Sequence, residues 1–261
     1  MNSIPACQLD GAIMRVFKNR FHAGQVLTQL LQERLSARWP QNEASWPPAA
    51  KVKPDIILAL PRGGVPVASP ISEALDAPLD VWVARKIGVP GHRELAMGAI
   101  AEGGGRFVHG GILTALQMDA SHFAQAEEQE RIELERRVQT YRAQRPQPRL
   151  ENRFVLLIDD GVATGSTLMA AISGVLAQVP ARLWVGIPVA SRQSLELLSA
   201  TIDDVLCAHV PTEFFSVGGF YEDFRQVTDQ EVVEILKAAK KKKVGSNPRF
   251  PTPPDTASPD S

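Results

Sequence analysis

Cysteine is scarce, and its placement excludes two kinds of protein. Cys7 and Cys207 are the only two in 261 residues, they stand at opposite ends of the chain, and neither belongs to a C-x-x-C or other metal-ligand spacing. A disulfide scaffold and a thiolate metal site are both excluded, and the two thiols read as buried or idle groups in a reducing compartment. Long apolar runs are missing as well. Nothing approaches the ~20 residues of a membrane span, and the opening MNSIPACQLDGAIMRVFKNR has no apolar h-region. No membrane association is expected, and the cytoplasm is the expected location. Nor does one sign of charge dominate. With 28 basic and 29 acidic residues the formal net charge is −1, so no overall field draws the chain to nucleic acid. Recognition of phosphate has to be local. Two phosphate signatures are absent too: no loop carries a Walker lysine and no G-x-G-x-x-G follows a strand, which argues against a P-loop NTPase and a dinucleotide fold.

What is present suits a globular α/β protein. Hydrophobic residues make up 44% and charged residues 22%, with 19 glycines and 20 prolines. One domain over residues 1–243 is expected. Phe21 to Arg38 places Val26, Leu27, Leu30, Leu31 and Leu35 at helical spacing, an amphipathic first helix. Four prolines then mark residues 39–54 as a surface loop. Strand character follows at Asp55 to Leu60, Leu79 to Ala84, Arg153 to Ile158, Arg182 to Val189 and Asp204 to His209. Helical patterns lie between, at Val65 to Leu75, Gly165 to Gln178 and Ser191 to Ser199. The alternation predicts a doubly wound, mainly parallel sheet with helices on both faces. A charged stretch from Gln117 to Arg145 reads as a long solvated helix. The lysine run Lys237 to Lys243 reads as a solvated helix end, and residues 244–261, rich in proline and polar residues, as a disordered tail.

Chemistry concentrates in FVLLIDDGVATGST, Phe154 to Thr167. An apolar strand stops at Asp159 and Asp160, which puts two carboxylates at its C-terminal edge, where open α/β sheets bind ligands. The small residues Gly161, Val162, Ala163, Thr164 and Gly165 then lead into a helix. They leave backbone N–H groups open at its N-terminus, with the hydroxyls of Thr164, Ser166 and Thr167 beside them. The pattern describes a phosphate cradle next to two acceptors for hydroxyl groups.

This segment resembles the phosphoribosyl diphosphate (PRPP) binding motif of the type I phosphoribosyltransferases: apolar strand, two acids, a small-residue loop, then Thr-Gly and a hydroxyl residue. LALPRGGVPVA, Leu58 to Ala68, looks like that family's pyrophosphate loop. VARKIGVPGHRELAMGAIAEGG, Val83 to Gly104, looks like its flexible loop, with glycine and proline supplying the mobility of a lid. The similarity to a bacterial subgroup of predicted phosphoribosyltransferases is closest there, extends to VGGFYEDFRQVTDQEV, and covers about residues 17–236. It implies the family's sheet with a small hood region, and transfer of ribose 5-phosphate from PRPP to a ring nitrogen of a nucleobase-like acceptor with release of pyrophosphate. Asp159 and Asp160 would bind the ribose hydroxyls, the loop from Gly161 to Thr167 the 5′-phosphate, and Arg62, Gly63 and Gly64 the diphosphate. Arg85 and Lys86 would join the diphosphate when the lid closes. Mg²⁺ is the implied cofactor, carried by the diphosphate and met by Asp159 and Asp160 directly or through water. A homodimer is compatible with the reading.

The chain departs from the family in two places. Where 6-oxopurine enzymes carry a further acid in the loop, this chain has Ala163, which looks more like the adenine enzymes and leaves the acceptor open. Pro70, inside the helix after PRGG, should kink or shorten it. Phe214, Phe215, Phe220 and Tyr221 are either packing residues or a stacking wall for a flat base. Glu94 and Glu102 are candidate proton acceptors by location only. His92, His109, His122 and His209 are scattered and read as satisfied or exposed. Two other functions stay open: a PRPP-sensing regulator without transferase activity, and a phosphorylase or hydrolase of another phosphorylated sugar. The tail reading has a direct test. Deleting residues 244–261 is expected to leave the melting temperature unchanged, because such a segment has little to bury; a drop of several degrees would show that it packs on the body.

Overall fold

Two faces of one sheet carry the two large clusters of buried apolar side chains among the described residues. A computed structural model of the chain describes residues 16–38, 53–89, 92–118, 120–143 and 145–244. Cys7, most of the proline-rich loop and residues 245–261 lie outside these. Strands β1 (Ile56–Ala59), β2 (Leu79–Val81), β6 (Phe154–Ile158), β7 (Arg182–Val189) and β8 (Asp204–His209) pair in parallel in the order β2-β1-β6-β7-β8. Every residue of β1 and β6 is buried, as continuous apolar runs require when both faces are covered. Ile57, Ala59, Leu156 and Ile158 point to one face. There they meet Leu27, Leu31 and Leu35 of α1 (Arg20–Arg38), Val65 and Ile71 of α2 (Gly64–Leu75), and Val232 and Leu236 of α7 (Asp229–Val244). Leu58, Val155 and Leu157 point the other way, to Leu168, Ile172 and Val175 of α5 (Ser166–Leu176) and Leu195 and Leu198 of α6 (Arg192–Ser199).

Magnitudes identify what holds this together. Each fully buried Val, Leu or Ile contributes about 1.5–3 kcal/mol, whereas an exposed helix ion pair contributes about 0–1 kcal/mol. The sheet faces therefore outweigh the Glu133–Arg136, Glu133–Arg137 and Glu127–Arg131 pairs along α4 (Ala120–Arg142), the long charged helix. α4 also has a buried end. Arg142, 1% exposed, donates to Val81 O at 2.6 Å, reaches Asp80 at 3.4 Å, and pairs with Glu102. Glu102 accepts the Val83 N–H at 2.7 Å with its other oxygen. Burial raises the Glu102 pKa above the ordinary carboxylate value against the pull of Arg142. Its role is thus to anchor a corner of the fold, not to accept a substrate proton; the Glu94 side chain lies outside the described residues.

The stretch from Val83 to Gly104, expected as a loop, folds into strands. β3 (Ala84–Val89), β4 (His92–Ala101) and β5 (Gly105–Val108) form a small antiparallel sheet, with a 3₁₀ turn at Glu102–Gly104. The glycines serve close approach. A Cβ on Gly105 would lie 2.2 Å from Ala170 O, and one on Gly174 would lie 2.1 Å from Glu102 O, so the turn sits directly on the backbone of α5. Residues 110–115 form the short helix α3 (Gly110–Ala115), which leads to α4. Pro70 neither breaks nor shortens α2, which runs through it to Leu75. Its ring packs on α1 at Gly24, where a Cβ would lie 2.6 Å from Pro70 Cγ and 2.1 Å from Val67 O. In a free helix Gly174→Ala gains up to about 1 kcal/mol. Here overpacking, at about 1–3 kcal/mol, should win, and the melting temperature of Gly174→Ala should fall by several degrees; a rise would show that the small sheet does not press on α5.

Candidate functional site

The strand order turns back between β1 and β6: β1 passes through α2 to β2 on one side, while β6, β7 and β8 step away on the other. At such a switch point the loops leave the C-terminal edge in opposite directions and open a crevice. Both sequence motifs end there. Leu60 N–H donates to Ile158 O at 2.8 Å, which ties the turn after β1 to the end of β6. The turn then presses on the acids. A Cβ on Gly63 would lie 1.8 Å from Asp160 Oδ2, and one on Gly64 would lie 2.6 Å from Ile158 O, so only glycine permits this contact. The Pro61–Arg62 peptide is cis. Arg62 leans toward Asp229 at the start of α7, with 3.6 Å between Nη1 and Oδ1.

Asp159 and Asp160 are half-buried at the base of the crevice. Two of their four oxygens are committed: Asp159 Oδ1 accepts the Asp160 N–H at 2.8 Å, and Asp160 Oδ2 accepts the Arg20 Nε–H at 2.7 Å. Asp159 Oδ2 and Asp160 Oδ1 receive no donor among the described residues. Burial, reinforced by the neighbouring charge of Asp160, lifts the Asp159 pKa well above its ordinary value.

The loop beyond is fixed at both ends and open in the middle. Val162 N–H donates to Val189 O at 2.9 Å, and Ser191 N–H to Val162 O at 3.1 Å. The hydroxyls of Ser191 and Ser194, at the start of α6, donate to Ala163 O at 2.9 and 2.7 Å. Gly161 lies against Val217, whose Cγ1 a Cβ would approach to 2.3 Å. Gly165 adopts φ 78°, the left-handed conformation that turns the chain into α5. Among the described residues, no main-chain N–H from Ala163 to Thr167 donates to a backbone carbonyl. With the hydroxyls of Thr164 and Ser166 3.4 Å apart and the positive end of α5 behind them, these groups form a cradle for an anion.

The family model described as "Phosphoribosyl transferase domain" matches residues 27–225. The chain belongs to this phosphoribosyl transferase family. Two Mycobacterium tuberculosis proteins, from strains CDC 1551 and H37Rv, carry provisional names as phosphoribosyl transferases. Each is 36% identical over 226 residues, 87% of this chain and 47% of its own length. The chain thus spans about half the length of these curated relatives. A crystal structure of TT1426 from Thermus thermophilus is 37% identical with a TM-score of 0.66, covering 84% of this chain and 97% of that one.

Within this family fold, the crevice brings together Arg62, Gly63, Gly64 and the residues from Asp159 to Thr167. It does not bring Arg85 and Lys86 to them. Arg85 pairs with Glu130 of α4 at 2.6 Å, and with Lys86 it lines an open cavity of about 560 Å³ between β3 and α4 that none of residues 159–167 borders. The aromatic residues divide. Tyr221 is 2% exposed, donates its hydroxyl to Asp160 O at 2.6 Å and packs between Phe17 and Phe224. Phe214 and Phe220 pair at 5.6 Å, with His209 5.5 Å from Phe220, while Phe215 is 84% exposed. Burial lowers the His209 pKa and pushes the Cys207 thiol up to about 12, in keeping with an inert thiol.

Sequence reasoning missed Arg20, Tyr221 as a partner of Asp160, and Asp229. Arg20 lies 140 positions from Asp160, and no local pattern joins them. Asp229 accepts the Tyr141 hydroxyl at 2.6 Å, a bond that with the nearby arginines holds its pKa below the ordinary value. A carboxyl whose pKa is raised in the folded state contributes stability below its unfolded value and loses it as pH rises through the folded one. Asp159→Asn should therefore raise the melting temperature of the ligand-free protein at pH 7–8, with the gain shrinking toward about pH 4. Scanning calorimetry across that range checks it; an unchanged or lower melting temperature at pH 8 would contradict the buried, charge-burdened Asp159.

Proposed function

We propose that the protein is a PRPP-dependent phosphoribosyltransferase that moves ribose 5-phosphate onto a ring nitrogen of a nucleobase-like acceptor and releases pyrophosphate. One observation carries the reading: Asp159 and Asp160, each with one carboxylate oxygen open, stand against the glycine turn after β1 on one side and lead into the open N–H groups before α5 on the other. That order matches a ribose whose hydroxyls sit between a diphosphate on one side and a 5-phosphate on the other.

Asp159 Oδ2 and Asp160 Oδ1 accept one hydroxyl each. The open main-chain N–H groups from Ala163 to Thr167, with the hydroxyls of Thr164, Ser166 and Thr167, hold the 5-phosphate. Arg62 leaves Asp229 for the diphosphate, and the backbone at Gly63 and Gly64 lets it approach. As the C1–O bond breaks, its electron pair departs with the diphosphate, and the lone pair of the acceptor nitrogen forms the C1–N bond. The sugar is electron-poor at that point, so positioning and charge do most of the catalytic work. Arg85 gives up Glu130 and, with Lys86, reaches the leaving diphosphate when the β3–β4 hairpin closes.

Mg²⁺ suits this donor set on a specific ground. Among the described residues no group of three His, Cys, Asp or Glu side chains could hold a metal alone. Each of the two carboxylate oxygens keeps a second lone pair beside the one a ribose hydroxyl uses, and these suffice for an ion that takes its other ligands from diphosphate and water. Asp159 and Asp160 would hold it, and when bound it neutralises charge on the diphosphate.

The test is binding of labelled PRPP with Mg²⁺, followed by pyrophosphate release against a panel of bases. Binding with base-dependent release supports a transferase; binding without release under any base indicates a sensor; no binding refutes the reading. If Lys86 acts mainly as the leaving group departs, Lys86→Ala should lower the release rate more than it weakens PRPP binding. Equal rates in variant and parent would remove Lys86 from the mechanism.

A further inference from the structure

We propose that Arg20 is the positioning residue for Asp160, an assignment that rests on the phosphoribosyl reading of the crevice. Three contacts fix the guanidinium. Its Nε–H donates to Asp160 Oδ2 at 2.7 Å, its Nη1 donates to Arg225 O at 2.8 Å, and its Cζ stands 3.8 Å over the Phe224 ring. The ring sets the plane and the carbonyl sets the rotation, so the Nε–H can point only at the carboxylate. Both side chains are shielded, Arg20 at 11% exposure and Asp160 at 16%, which makes their attraction stronger than that of a surface pair.

The support for Arg20 is itself tied to the acid. Phe17 N–H donates to Phe220 O at 3.0 Å, Glu222 N–H to Phe17 O at 2.9 Å, and Asp223 N–H to Lys18 O at 2.9 Å. Residues 17–20 and 220–225 therefore form one stitched unit. Tyr221 of that unit donates to the main-chain oxygen of Asp160 at 2.6 Å. Asp160 is held at its backbone and at one carboxylate oxygen by the same unit. Oδ2 is thereby occupied, and Oδ1 is the oxygen left to meet a sugar hydroxyl. Gly63 completes the arrangement: a Cβ there would lie 1.8 Å from Asp160 Oδ2 and 3.0 Å from Arg20 Nε, so the diphosphate turn closes only over this pair.

Without Arg20 the carboxylate is free to rotate and offers its oxygens to the ribose in no fixed order. Arg20→Ala should weaken PRPP binding by about tenfold or more, the loss expected of a misplaced charge-assisted hydrogen bond. Calorimetric titration of parent, Arg20→Ala and Arg20→Lys with PRPP and Mg²⁺ tests this, with near-UV circular dichroism to establish that each is folded. Millimolar methylguanidinium should restore much of the affinity of Arg20→Ala and leave the parent unchanged. Arg20→Lys keeps charge and bulk for the case where the alanine variant does not fold, and it should recover little, because an ammonium cannot present the planar Nε–H. A folded variant of either kind that binds PRPP like the parent overturns the assignment, as does a loss that methylguanidinium leaves untouched. A parent that fails to bind PRPP overturns the phosphoribosyl reading and this assignment with it; a parent that binds, beside an indifferent variant, overturns the assignment alone.

Discussion

Asp160 is the meeting point on which the rest of the crevice depends. Its carboxylate is held by Arg20 from the start of α1, its main-chain oxygen by Tyr221 from beyond β8, and its flank by Gly63 after β1. Three segments distant in sequence thus fix the orientation of one side chain at the end of β6. A buried carboxylate cannot stay charged without such partners. Among the described residues Asp159 beside it makes no ion pair, and burial with the adjacent charge raises its pKa against the pull of Arg20. The two acids are adjacent in sequence and unlike in environment.

The place of the crevice follows from the sheet. Parallel strands covered on both faces bury their side chains completely, so chemistry has to sit at an edge, and the C-terminal edge offers helix N-termini. Reversal of strand order between β1 and β6 opens that edge at one point, where both glycine-bearing loops emerge. The small sheet β3-β4-β5 is attached to α5, the helix whose first turn carries open N–H groups, through contacts that only glycine allows at Gly105 and Gly174.

Much of this was legible in the chain. Unbroken apolar runs such as FVLLI announced central parallel strands, and ATGST before a helix announced a loop with open N–H groups, because both depend on local chemistry. Tertiary contact decided the rest. Gly103 read as part of a mobile lid, yet it packs a turn onto α5, where a Cβ would lie 2.7 Å from Gly174 O. Pro70 read as a residue that kinks or shortens its helix, yet α2 runs through it and its ring packs beside Gly24. Glu102 was a candidate proton acceptor by location only, and it is closed off by Arg142. Arg20 carried no signal, since its partner is fixed by the fold and not by spacing.

The central claim is that Asp159 Oδ2 and Asp160 Oδ1 each take one ribose hydroxyl. Calorimetric titration with PRPP, its 2-deoxy analogue and its 3-deoxy analogue, all with Mg²⁺, measures this directly. The account predicts that each deletion weakens binding by roughly 10- to 100-fold, the range for one hydrogen bond to a charged group. Equal affinity for PRPP and either analogue would contradict it.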